Sequence, residues 1–473
     1  MKAQEAALPV LKVTLSGSIG DEYKQGSMQL TDTEGNVVEL PAKFKVRGAT
    51  ARSYTMKPSF NMKLREADGT EVDSCLLGLR SCSSWILDAM AIDRVCMRNR
   101  VCFDLWNEMY QLPYDTQFNG RCGTVGRFVE VYINDAYKGI YCLTDRINRK
   151  LLDLKKVAID ETTGEATVRG VLYKHGKTIY EGTDEDGNPW HGSTNEEGYF
   201  NDYSIYVIAW HDLWSLEEPE DYASPEVWDP LREAYATYDD YGKICDKFYV
   251  ENLASLQILT MALAIKDNWG KKNHYLSVRN IQADGNKARM VFEPWDLDTS
   301  LGGEYDGSVY GEAMFDSSNQ WPVKSAVNNA FGPFSKCCGT DEYIQLLRNT
   351  WIMASKDVLS VDNVKSKLQG YCDLFLNSGA WKRYTDYWNT KSNRPMYLDD
   401  LATEVDNIGR WYELRFQEMD DYFGVTDADR ESATGITTVS DECHTGVYDL
   451  MGRKTTAPGK GVYIKDGKKF VSN

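Results

Sequence analysis

The sequence predicts an α+β protein: mainly strands up to residue 150, mainly helices toward residue 425, and a short β tail over 430–473. Three observations lead there. Period-two alternation dominates residues 8–64 and 128–141, apolar residues recur at helical spacing in 253–263 and much of 343–423, and the chain ends in short alternating runs.

The first strands run through Val10, Val13 and Leu15 and through Ser27–Leu30, followed by a turn at Thr33-Glu34-Gly35-Asn36. Lys43–Arg47 reads as another strand. In Lys57–Leu64, Phe60, Met62 and Leu64 share one face and Asn61 and Lys63 the other, which turns the Lys63 ammonium toward a cleft. Asp93–Met109 has helical periodicity through Val95, Val101, Leu105 and Met109, and Phe128–Tyr141 alternates about a hairpin turn at Asn134-Asp135. Residues 160–245 read as an irregular insertion, whose Trp190, Trp210, Trp214 and Trp228 suit packing better than a saccharide or peptide surface.

A net charge of −18 opposes binding to nucleic acid or anionic lipid, although the cluster Arg146–Lys156 could hold a phosphate. No apolar run is long enough to cross a bilayer, since Leu256–Ile265 is short and interrupted by Gln257 and Thr260. The start, Met1-Lys2-Ala3-Gln4, lacks an apolar signal segment, as expected of a cytoplasmic protein or one whose signal has been removed. Eleven cysteines, with no C-x-x-C pair, indicate neither a zinc ribbon nor a complete disulfide framework. Cys75, Cys82, Cys96 and Cys102 lie among apolar residues and are expected to be buried, and Cys337-Cys338 is a vicinal pair. Five histidines without helical ligand spacing give no zinc site.

Residues 253–302 carry the most chemistry. A helix through Leu253, Leu256, Leu259 and Leu263 leads into Asp267-Asn268-Trp269-Gly270, then to Asn273 and a strand His274–Val278. A tight turn at Ala283–Asn286 and a returning strand Ala288–Phe292 deliver Trp295-Asp296-Leu297-Asp298. A hairpin returns the chain beside its start, so Asp267, Asn273 and Asp296 meet at one end. Magnesium prefers one or two carboxylates, an amide oxygen and phosphate oxygens, and phosphoryl transfer also wants an acid facing the attacking hydroxyl. Acid, asparagine and second acid in this order is how the lower lobe of a protein kinase delivers these groups, though the spacing here is wider. Singly, Asp267–Gly270 reads as a helix-ending turn, and Asp296 and Asp298 as loop acids. A glycoside hydrolase pair is too easily found among so many carboxylates to carry weight.

With these residues in hand, the chain resembles the CotH family of atypical, protein-kinase-like proteins. The resemblance runs through Lys45–Thr50 with Lys57–Leu64, Met97-Arg98-Asn99-Arg100, Phe128–Asn134 with Gly139-Ile140-Tyr141, Asp267-Asn268-Trp269 with Asn273, and Trp295–Asp298. It implies a bilobal protein-kinase-like fold, with a mainly β first lobe over 8–150 and a mainly helical second lobe over 151–425. It implies ATP and Mg2+ (Mn2+ or Ca2+ as substitutes), with phosphate transferred to a Ser or Thr hydroxyl of an acceptor protein. Asp267 then matches the catalytic acid, Asn273 and Asp296 the metal ligands, and Asp298 a further ligand. Lys63 is the first choice for the cation on the nucleotide phosphates, with Lys57 and Arg47 as alternatives.

The sequence departs from the family at Gly48-Ala49-Thr50, where Gly-Asn-Ser/Thr is usual, at Asn134-Asp135, where Asn-Gly is usual, and at Thr144-Asp145-Arg146, where a Glu is frequent. The tail, Gly446–Arg453 with Lys460–Lys469, resembles a C-terminal segment of secreted and surface proteins from Gram-negative anaerobes, which implies export to the periplasm, cell surface or medium. The alternative reading is a catalytically silent kinase-like surface protein that holds a polymer or partner, with calcium among its acids.

Overall fold

The computed structural model describes residues 7–48, 57–114, 120–177, 180–183, 189–192, 213–220, 225–235, 241–268, 273–284, 289–304, 323, 339–391, 400–433, 447–449, 454–455, 461–465 and 468–472. The early alternation closes a barrel. Its strands are β1 (Val10–Leu15), β2 (Lys24–Thr31), β3 (Val37–Arg47), β4 (Ser59–Leu64), β5 (Ser84–Asp88), β6 (Gly126–Ile133) and β7 (Ala136–Thr144). They pair in the order β1-β2-β3-β4-β5-β7-β6, and β1 lies parallel to β6 to complete the circuit. Met28, Phe44, Phe60, Met62, Leu64 and Trp85 fill the interior, which leaves Lys45, Arg47, Asn61 and Lys63 on the outer face of β3 and β4.

The β6–β7 turn takes positive φ at Asn134 (49°) and Asp135 (62°), which Asn and Asp tolerate better than other side-chain-bearing residues. Asn134 Oδ1 also receives Leu15 N at 2.9 Å, so this turn is tied to the end of β1 without the usual glycine. The helix expected from Asp93 begins later, as α1 (Arg98–Met109). Asp93 stays outside it because its carboxylate receives the amides of Met97 and Arg98, each at 2.7 Å.

Beyond the barrel come two short ladders, β8 (Ala158–Ile159) with β9 (Ala166–Thr167) and β11 (Tyr180–Thr183) with β12 (Pro189–Gly192). A four-stranded antiparallel sheet has the order β13 (Leu213–Glu218), β10 (Val171–Lys177), β14 (His274–Val278) and β15 (Val291–Pro294). Two of its strands thus come from the segment expected to be irregular, where Val171–Lys174 is too short a run to reveal its period. After β14 the chain makes a single helical turn at Ile281–Asp284, which takes in Ala283 and Asp284, while Gly285 and Asn286 of the expected tight turn lie outside the described residues.

Among the described residues the remaining helices are α2 (Asp229–Tyr235), α3 (Tyr241–Lys247), α4 (Val250–Ala262), the short turn just described (α5), α6 (Asp341–Lys356), α7 (Val361–Asn377), α8 (Ala380–Asn389), α9 (Leu401–Phe423) and α10 (Asp427–Ser432). α4 is buried on nearly every side, as its almost uninterrupted apolar sequence requires. Thr340, Ser360, Asp400 and Thr426 cap α6, α7, α9 and α10 through their side chains. The tail forms a sheet in the order β17 (Lys454–Thr455), β16 (Val447–Asp449), β18 (Gly461–Lys465), β19 (Lys468–Ser472).

Trp214 and Trp228 are core residues, and Cys82, Cys96 and Cys102 are buried as expected. Cys75 is exposed instead, next to Ser74, which pairs with Cys82 in an isolated β-bridge rather than in a longer strand that would cover it. Cys337, Cys338, Trp210 and the Trp190 side chain lie outside the described residues. Among the described residues no helix is long and apolar enough to cross a membrane.

Helix α8 docks on the barrel. Arg383 forms a two-pronged pair with Glu130 (2.9 and 2.7 Å), and Trp388 Nε1 donates to Lys138 O at 3.0 Å. Gly139, with φ 101°, leaves the room this needs, since a Cβ there would stand 2.5 Å from Tyr384 and 2.9 Å from Trp388 Nε1. Gly139→Ala is therefore expected to destabilise the protein by about 2 kcal/mol or more, read as a lower urea midpoint. An unchanged midpoint would contradict this packing.

Candidate functional site

The site starts where α4 ends. The buried Arg415 of α9 donates from Nε (2.8 Å) and from a terminal nitrogen (2.6 Å) to Met261 O, which fixes the end of α4 ahead of Asp267. Asn273 then takes a left-handed backbone, φ 60°, and its Nδ2 donates to Asp267 Oδ2 at 3.0 Å. The two strands of the hairpin leave from this point with His274 opposite Pro294. Asn268, between the two, donates from Nδ2 to Asn273 O (2.9 Å) and to Trp295 O, while Trp295 N donates to Asn273 O at 3.0 Å. One amide side chain thus clips the start of the hairpin to its end.

Asp296 follows, again with φ 60°. Part of the residue is exposed, yet desolvation by the protein packed around it pushes its carboxyl above the usual range. Asp88 adds to that push, and Arg47 opposes it. Asp298 is pushed up further, by burial first and then by Asp296, Asp88, Asp93 and Asp267. These acids therefore share one neighbourhood. Among the described residues no group of three or more His, Cys, Asp or Glu side chains is gathered closely enough to hold a metal ion by itself. The donors on hand are carboxylates and the Asn273 amide, all hard oxygens, and magnesium keeps water and phosphate oxygens in most of its positions.

Cations face the acids from the other wall. Arg47, on β3, places its guanidinium carbon 5.3 Å from the Trp295 ring centre. Lys174, on β10, has its ammonium 5.9 Å from the same ring and 5.5 Å from that of Tyr275. Burial pushes the Lys174 ammonium down; Glu217 opposes that, while Arg47 adds to it. Among the described residues neither cation has a side-chain ion pair or hydrogen bond.

The other two candidate cations sit elsewhere. Lys63 is half-buried on the outer face of β4, its ammonium 5.3 Å from the Tyr23 ring, with Lys45 at 5.9 Å from it. Lys57 is buried at the barrel–α8 junction, where it donates to Ala89 O (2.7 Å), Ile140 O and Tyr384 Oη (2.9 Å). Its three donors are engaged within the fold.

Sequence reasoning overlooked Lys174 and Asp88. Each is a charged residue closing an apolar strand run, Val171-Leu172-Tyr173 and Trp85-Ile86-Leu87, and that interruption is the signal available. Asp88 also organises the wall, taking Met90 N (3.0 Å) and Ser59 Oγ (3.3 Å) on one oxygen and Asn99 Nδ2 (2.9 Å) on the other.

An asparagine that donates to Asp267, with two further carboxylates nearby, is what the described residues bring together here. Residues 44–419, most of the chain, match the family described as CotH kinase protein, and the protein belongs to that family. A comparison with curated proteins gave no match.

Burial holds the Lys57 ammonium down to about 8, so above that pH the unfolded chain binds its proton more tightly than the folded protein. Stability contributed by this group is therefore expected to rise between about pH 8 and about pH 10.4. Urea midpoints of wild type and Lys57→Met check this. The wild-type midpoint should climb relative to the variant across the window, and a constant difference would contradict it.

Proposed function

We propose that the protein is an exported atypical protein kinase of two lobes that transfers the ATP γ-phosphate to a Ser or Thr hydroxyl of an acceptor protein. What supports this, beside the family, is one observation: Arg47 and Lys174 converge on Trp295 with no close ion pair among the described residues, next to the acids Asp296 and Asp298. Cations held over aromatic rings beside crowded carboxylates suit a ligand that is both polyanionic and metal-bound.

In this reading Asn273, Asp296 and Asp298 would hold Mg2+, which supplies charge neutralisation on the phosphate oxygens. Arg47 and Lys174 bind the remaining oxygens, and the Trp295 and Tyr275 rings fix where those cations stand. Asp267 accepts the proton of the acceptor hydroxyl as the new O–P bond forms and the bond from Pγ to the β–γ bridging oxygen breaks, which releases ADP. Asn273 orients Asp267 through the 3.0 Å hydrogen bond. Export rests on the resemblance of the tail, and such an enzyme draws on nucleotide outside the cytoplasm.

Three measurements test this. With labelled ATP, Mg2+ and acceptor proteins, Asp267→Ala is expected to lose at least about a hundredfold in transfer; equal labelling by variant and wild type would refute its role. Arg47→Ala and Lys174→Ala are each expected to weaken ATP binding about tenfold, or ~1.4 kcal/mol. Mg-ATP should raise the melting temperature of wild type and of Asp267→Ala but not of Asp296→Ala. Stabilisation without transfer would favour the silent surface protein, and no stabilisation would remove the nucleotide site.

A further inference from the structure

The first turn of α1 grips the segment 296–301 at three places. Arg98 Nε and a terminal nitrogen both lie 3.4 Å from Leu301 O, and Cys102 Sγ lies 3.2 Å from Ser300 Oγ. Between them Asn99 Oδ1 receives Leu297 N at 3.0 Å while its Nδ2 donates to Asp88 Oδ2 at 2.9 Å. Leu297 is the residue between the two acids. Of the three grips, the one at Asn99 touches the backbone that sets where Asp296 and Asp298 point.

We propose that Asn99 is a positioning residue that sets the divalent-cation affinity of the site, an inference resting on the metal-dependent reading above. The Asn99 amide accepts from the Leu297 N–H through its oxygen and donates to the Asp88 carboxylate through its nitrogen, a pair of tasks that no aliphatic, ammonium or ionised carboxylate side chain can perform together. Removing it leaves Leu297 N without that acceptor and releases Asp296 from a left-handed conformation that L residues other than glycine seldom hold. It also frees the Asp88 charge, which already bears on both acids. The interaction reaches the cation through a second residue, and losses of about 10- to 100-fold in affinity are usual for such partners.

The test is a Mn2+ titration of the full chain by electron paramagnetic resonance, with unfolding midpoints recorded without metal. Wild type should bind Mn2+, Asp296→Ala should not, and Asn99→Leu should bind at least about tenfold more weakly. Asn99→Ser, too short to bridge, serves if the leucine variant does not fold. The double exchange Asp88→Asn with Asn99→Asp reverses the amide–carboxylate pair and should restore affinity to within about threefold; a residue that merely stabilised the fold would not be rescued in this way. Wild-type affinity in Asn99→Leu, or an exchange variant as weak as Asn99→Leu, would overturn the inference while leaving the metal site standing. Absence of Mn2+ binding by wild type would overturn both.

Discussion

At both Asn273 and Asp296 the backbone turns through the left-handed region, at φ 60° in each case, and the hydrogen bonds around the two turns hold it there. Such a conformation disfavours an L side chain by about 1 kcal/mol or more. Asn268 offsets this by clipping the carbonyls of Asn273 and Trp295 together, and Asn99 secures the amide of Leu297. The surrounding architecture serves the same end. Arg415 anchors α4 before Asp267, the β14–β15 pairing returns the chain to its start, and α1 reaches across from the barrel side.

The electrostatics follow from that geometry. Desolvation first, and then the nearness of Asp88 and Asp267 and of the two acids to each other, raises the carboxyls of Asp296 and Asp298, so their ionised forms are held at a disadvantage. Arg47 and Lys174 relieve part of it but stand over aromatic rings rather than in ion pairs with these acids. In a chain with net charge −18, these are two cations that form no close ion pair among the described residues, and the proposed nucleotide binding rests on them. Lys57 shows the contrast: equally cationic, it is consumed by two carbonyls and Tyr384 where α8 meets the barrel.

Much of this was legible in the sequence because local periodicity changes at the right places. The passage from helical spacing to alternation around Asp267 announces helix, loop and hairpin, and a hairpin must return Asp296 to the side of Asn273. Lys174 and Asp88 were not legible in that way, since each joins the site through pairing with strands or side chains far along the chain. The surroundings of Lys57 were hidden for a related reason: its position beside an alternating strand says nothing of Tyr384, which is 327 residues away. The strands β10 and β13 were hidden by short runs in a segment rich in glycine, tyrosine and acids, and the exposure of Cys75 depends on a bridge no local pattern encodes.

The account turns on acids and cations forming one site for a metal–polyphosphate ligand. Anomalous diffraction from crystals grown with Mn2+ and a non-hydrolysable ATP analogue tests that most directly. It predicts a manganese peak among Asn273, Asp296 and Asp298, with the phosphates between that peak and Arg47 and Lys174. Nucleotide seated instead against Tyr23 and Lys63, or manganese bound far from Asp296, would contradict it.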